Sequence, residues 1–151
     1  MSVASVGTRG WEAKPWQSKA SVSVQSARVP VGRMLELAMQ AARMSEDDRG
    51  WVSVRAHSST RVDLRIRDLV HTDGVEVMQF HVEAAFAAGR VTARSAVDVF
   101  QTKDSGLSGR LVAIANRKLL GYSAYERYME VFGTLVANED PGATVSFTTG
   151  K

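Results

Sequence analysis

The chain has 151 residues, no cysteine, three prolines and 44% hydrophobic residues. Its 19 Lys and Arg exceed its 16 Asp and Glu, giving a formal charge of +3 and an isoelectric point near 9.5. The length suits one domain with or without a tail, the apolar content excludes a wholly disordered chain, and the lack of cysteine excludes a disulfide framework, a thiolate zinc site and a cysteine nucleophile.

The charge is unevenly spread. Residues 1–29 hold Arg9, Lys14, Lys19 and Arg28 against one acid, Glu12, whereas residues 30–151 are balanced. The first segment is rich in Ser, Ala and Val and lacks a helical apolar period. It reads as an extended N-terminal arm, flexible or docked, ahead of a single domain over 30–151. It has no apolar run of the roughly 7–15 residues that a secretory signal needs. No stretch reaches the roughly 18–20 apolar residues of a membrane span. A cytoplasmic location, or one within an intracellular assembly, is therefore expected. Trp11 and Trp16 can each bury a large apolar area, which makes them anchors for a partner, a neighbouring subunit or the chain's own domain. Val22 and Val24 alternate with serines over 20–24, a pattern that fits a strand added to a sheet edge in cis or in trans.

A helix is expected over 30–44. Pro30 suits a first helical position, and Met34, Leu35, Ala38, Ala41 and Ala42 recur at helical spacing. The period then changes to two. Over 51–56, Val52, Val54 and Ala56 share one side. Over 61–67, Val62, Leu64 and Ile66 alternate with Arg61, Asp63, Arg65 and Arg67, as in a half-buried antiparallel strand. Asp73-Gly74 signals a hairpin. The strand 75–84 turns Met78, Phe80 and Val82 inward and Gln79, His81 and Glu83 outward. After a turn at 87–89, the strand 91–101 sends Val91, Ala93, Val97 and Val99 inward and Arg94 and Asp98 outward.

A loop over 103–110 and a short strand over 111–115 follow. Ser123-Ala-Tyr-Glu126 matches a capping box ahead of a helix over 124–137, whose Tyr125, Met129, Phe132 and Val136 form one stripe. Pro141 stops it, and 144–149 returns as an edge strand. The expected fold class is α+β, a four- to five-stranded antiparallel meander flanked by two helices.

The chemistry-bearing residues are sparse. His57, His71 and His81 lack metal-ligand spacing, so no metal or cofactor is expected. There is no Gly-x-Ser-x-Gly elbow and no Ser-x-x-Lys ahead of a helix. The glycines at 106 and 109 lack the Lys-Ser/Thr of a phosphate loop. His81, Glu83 and Asp98 share a sheet face, where acid–base work is conceivable but a solvated face of mixed charge is the plainer reading. Arg55, Arg61, Arg65, Arg67 and Arg94 on that face are the candidate nucleic-acid or anion contacts. Arg9, Lys14, Lys19 and Arg28 of the arm join them, as do Arg117 and Lys118 ahead of the second helix. Asp63, Glu83 and Asp98 cancel much of their field.

The leading expectation is a non-enzymatic interaction protein, a subunit of a homo-oligomer or larger assembly. It would dock through Trp11, Trp16, Val22 and Val24, so that removing 1–29 dissolves the assembly and leaves the domain folded. The alternatives are a nucleic-acid binder and a small-molecule binder or enzyme with a helix–sheet pocket at Tyr122, Tyr125 and His81.

Overall fold

Period-two alternation builds most of the chain into one sheet. The computed structural model describes residues 16–102 and 119–149. Arg9, Trp11, Lys14, the loop 103–110, the strand 111–115, Arg117 and Lys118 lie outside the described residues. A 3-10 turn at Trp16–Lys19 leads into β1 (Ser21–Ser26), α1 (Val31–Met44), β2 (Gly50–His57), β3 (Arg61–Asp68), β4 (Val75–Ala87), β5 (Arg90–Phe100), α2 (Tyr122–Glu139) and β6 (Thr144–Thr148). The six strands form one antiparallel sheet in the order β2-β3-β4-β5-β1-β6. The class is α+β, with six strands among the described residues rather than four or five.

The extra strands come from the two ends of the described chain. β2 to β5 are the expected hairpin series. β1 pairs with β5 on one side and β6 on the other, so it is an internal strand and not an edge addition. Val22 and Val24 are fully buried in the core. The 3-10 turn is held to the same domain, because Leu119 N–H donates to Gln17 Oε1 at 2.8 Å. A truncation at residue 29 therefore removes the strand that joins β6 to the rest of the sheet.

Both helices pack on one face of the sheet. α1 buries Met34, Leu35, Leu37, Ala38, Ala41 and Ala42, and its alanines let the backbone approach closely. α2 buries the expected stripe of Tyr125, Met129, Phe132 and Val136, with Tyr128 and Gly133 added. Between them lies Phe80 of β4, with ring centroids 4.8 Å from Tyr125 and 4.9 Å from Tyr128 in tilted and edge-on contacts. Tyr128 reaches past it and donates to Ala38 O of α1 at 2.8 Å. Burial pushes the Tyr128 hydroxyl pKa well above its ordinary value. The bidentate contact of Arg33 with Glu139, at 2.7 and 3.1 Å, ties the start of α1 to the end of α2.

Three expectations about local structure are corrected. The capping box does not cap: α2 starts at Tyr122 after Gly121, and no side chain bonds the free N–H groups. Gly121 has φ +80°, and a Cβ there would lie 2.9 Å from both Ile66 Cγ2 and Val77 Cγ2. Packing of the approaching chain on β3 and β4 thus sets the helix start, ahead of cap chemistry.

The inward side of β5 also changes near its end. A bulge in the β4–β5 ladder sets Phe80 opposite Val97 and Gln79 opposite Val99, with Asp98 as the extra residue. Val99 is left on the outer face and is 53% exposed, while Phe100 packs on the core. A second bulge, between Val54 and Ala56 in β2, moves Ala56 outward opposite Asp63. Bulges of this kind reverse the facing of everything beyond them.

Two buried polar links fix β1. Val22 N–H donates to Ser95 Oγ at 2.9 Å; the Ser95 hydroxyl donates to Tyr125 Oη at 2.9 Å, which donates to Ala20 O at 2.7 Å. Burial raises the Tyr125 hydroxyl pKa, so it stays a neutral donor. Tyr125→Phe leaves Ser95 Oγ and Ala20 O short of a partner and is expected to cost about 1–3 kcal/mol. Urea unfolding should show a lower midpoint at unchanged slope.

The second link is Ser26 Oγ, which donates to Asp140 Oδ2 at 2.7 Å and accepts from the N–H groups of Arg28 and Val29. The Ser26 hydroxyl bond holds the Asp140 carboxyl below the ordinary carboxylate pKa. A lowered folded pKa adds stability above the unfolded value of about 3.9 and loses it as pH falls through the folded value. The stability gap between wild type and Asp140→Asn should therefore be widest above about pH 4 and narrow below it, as read by thermal melts across that range.

Candidate functional site

The face of the sheet opposite the helices is the place where sequence-predicted functional residues meet. Alternation along β3 sends Arg61, Asp63, Arg65 and Arg67 there. The ladders set them opposite Glu83, His81, Gln79 and Glu76 of β4. β5 adds Arg94 opposite Glu83 and Ala96 opposite His81. Arg55 sits at the β2 bulge on the sheet margin. Lys19 and Arg28 do not join this group: they lie beyond opposite ends of β1.

The arginines of this face are largely engaged already. Arg61 Nε donates to Asp63 Oδ1 at 2.9 Å, and its Nη2 lies 3.6 Å from Asp98 Oδ2. The Asp63 bond raises the Arg61 pKa. Arg65 Nη1 meets Glu76 Oε1 at 3.4 Å, and Gln79 Nε2 donates to Glu76 Oε2 at 2.8 Å. Arg67 Nη1 donates to Gly74 O at 3.2 Å. Arg61, Arg65, Arg67 and Arg94 are matched in number by Asp63, Glu76, Glu83 and Asp98. A face balanced in this way has little net positive charge with which to neutralise phosphates and release the counterions condensed on them.

His81 and Asp98 do come together. The bulge at Asp98 brings its carboxylate to His81, and both oxygens lie 2.9 Å from Nδ1. In the neutral ring, Nδ1–H as donor to the carboxylate leaves Nε2 with its lone pair free. The ring borders an open groove of about 570 Å³, shared with Thr60, Glu83, Thr92 and Arg94. This is the orientation a general base takes. Among the described residues, however, no hydroxyl or other nucleophile is hydrogen-bonded to Nε2. Among them there is also no group of three or more His, Cys, Asp or Glu able to hold a metal.

The expected helix–sheet pocket is filled at its centre by Phe80, Tyr125, Tyr128 and Phe132, all fully buried. His81 lies on the opposite face of the sheet from Tyr125, so the two cannot share a pocket. Tyr122 borders a surface groove at the start of α2.

Sequence reasoning passed over the sheet's β6 edge as a site. Thr144–Thr148 pairs with β1 on one side, and among the described residues no strand pairs on its other side. Its register with β1 is unbroken, and the run Thr-Val-Ser-Phe-Thr carries no charge. Gly133 lets it lie close to α2, since a Cβ there would be 2.9 Å from Val145 Cγ1. Phe147 remains 53% exposed. The readable signal was the uncharged, β-branched run next to a Pro-Gly break. Among the described residues no helix is long and apolar enough to cross a membrane. Comparison with protein-family models, with curated proteins and with solved structures finds no match to this chain.

Proposed function

We propose that this protein is a non-enzymatic interaction subunit that works by joining an assembly. The carrying observation is the β6 edge: an uncharged strand with a half-exposed phenylalanine, paired with β1 on one side and with no strand on the other among the described residues. Such an edge presents a row of free N–H and C=O groups to another chain. Because Val22 and Val24 are spent on the core, the docking role proposed for the basic N-terminal segment falls to Trp11 and to Trp16, which is 37% exposed.

The pairing of Arg61 with Asp63 and of Arg65 with Glu76 on the outer face weighs against the nucleic-acid reading. The two are separated by light scattering of the full chain, alone and with a single-stranded oligonucleotide, at low and high salt. An assembly subunit gives a mass above that of the monomer without nucleic acid and little change on its addition. A mass that rises only with oligonucleotide, and falls back steeply with salt, would favour the nucleic-acid binder instead.

A further inference from the structure

We infer that the partner of the β6 edge is a second copy of this chain, paired strand to strand in antiparallel register about Ser146. The inference rests on the assembly reading above and adds the partner and the geometry. Exposed sheet edges are normally blunted by lysine, proline, bulges or inward charges. The opposite edge of this sheet follows that rule, since β2 carries a bulge between Val54 and Ala56 with Arg55 at it. β6 has none of these devices.

Its sequence also matches itself. An antiparallel pair centred on Ser146 sets Val145 of one copy opposite Phe147 of the other, twice, and Thr144 opposite Thr148, twice. Aromatic with β-branched and Thr with Thr are favoured cross-strand pairs. No charge on either strand meets a like charge. On the helix side, Phe147 borders a groove of about 210 Å³ with Tyr122 and Met129 of α2, rimmed by Glu126 and Glu130. The partner's Val145 would fall beside Phe147 and cover it. The two sheets then run as one across a twofold axis, and neither β6 edge remains free.

The chain has no cysteine, so single-cysteine variants report the register directly. Residues directly opposite in an antiparallel pair have Cα atoms about 4.5–5.5 Å apart, within the disulfide range of about 4.4–6.8 Å. Ser146 would face itself; Thr144 would face Thr148 and not its own copy. All three positions are exposed.

Under mild oxidation, Ser146→Cys is expected to give a covalent dimer on a non-reducing gel. Thr144→Cys alone should stay largely monomeric, and Thr144→Cys mixed with Thr148→Cys should cross-link. Absence of the Ser146→Cys dimer, or equal cross-linking of Thr144→Cys with itself, overturns the register. Light scattering of the wild-type chain separates the two failures. An oligomer without the Ser146→Cys link overturns edge pairing and leaves the assembly reading standing; a monomer without it overturns both.

Discussion

Phe80→Ala is expected to destabilise the protein by about 3–5 kcal/mol, the range for truncating a large aromatic in a closed core. Phe80 is fully buried and touches both Tyr125 and Tyr128 of α2. Those two tyrosines are each anchored at the far end, one to Ala20 O and one to Ala38 O. They cannot slide into the space without giving up a buried hydrogen bond, so the cavity relaxes poorly. Phe80→Leu keeps part of the volume and should cost clearly less. Chemical denaturation followed by tryptophan fluorescence and circular dichroism checks both. A loss below about 1 kcal/mol for Phe80→Ala would mean that β4 does not carry the contact between the helices and the sheet.

Gly121→Ala comes next. The residue sits at φ +80°, where an alanine costs about 1–2 kcal/mol. Its Cβ would also lie 2.9 Å from methyl groups of Ile66 and Val77, which belong to two different strands. Overpacking of this kind adds about 1–3 kcal/mol. Gly74 is the control: it has a similar φ of +85°, with nothing within 4 Å of the added carbon. Gly74→Ala should show the conformational cost alone. The difference between the two variants then isolates the packing that sets the start of α2, and equal losses would refute that cause.

Much of the fold was legible wherever one rule acted alone. The stripe of Tyr125, Met129, Phe132 and Val136 and the alternation of Val62, Leu64 and Ile66 follow directly from helix and strand periodicity, and the structure buries all seven. The misplacements have a shared cause: a longer-range constraint overrode the local one. Val99 and Ala56 face outward because single bulged residues shift the phase of their strands, and one extra residue leaves no mark on an alternating pattern. The capping box at Ser123 lost to the close approach of Gly121 to β3 and β4.

β1 is the largest case. Its alternation was visible, but its internal place between β5 and β6 is a matter of strand order, which local sequence does not encode. Charge composition made the segment look separable, whereas burial of Val22 and Val24 makes it part of the core. For the outer face, the outward direction of Arg61, Arg65 and Arg67 could be read from sequence. That these groups are occupied by Asp63, Glu76 and Gly74 O could not, because it depends on register.

A subunit, unlike a free-standing monomer, changes mass with concentration. Sedimentation velocity of the full chain over a wide concentration series reads this difference. For the proposed subunit, the weight-average mass is expected to climb with concentration from the 16.4 kDa of one chain toward a dimer or larger species. A Ser146→Lys variant, which sets two like charges face to face at the centre of the proposed pair, should hold the mass lower. A single species of 16.4 kDa for the wild-type chain at every concentration would show a monomer and overturn the proposed subunit.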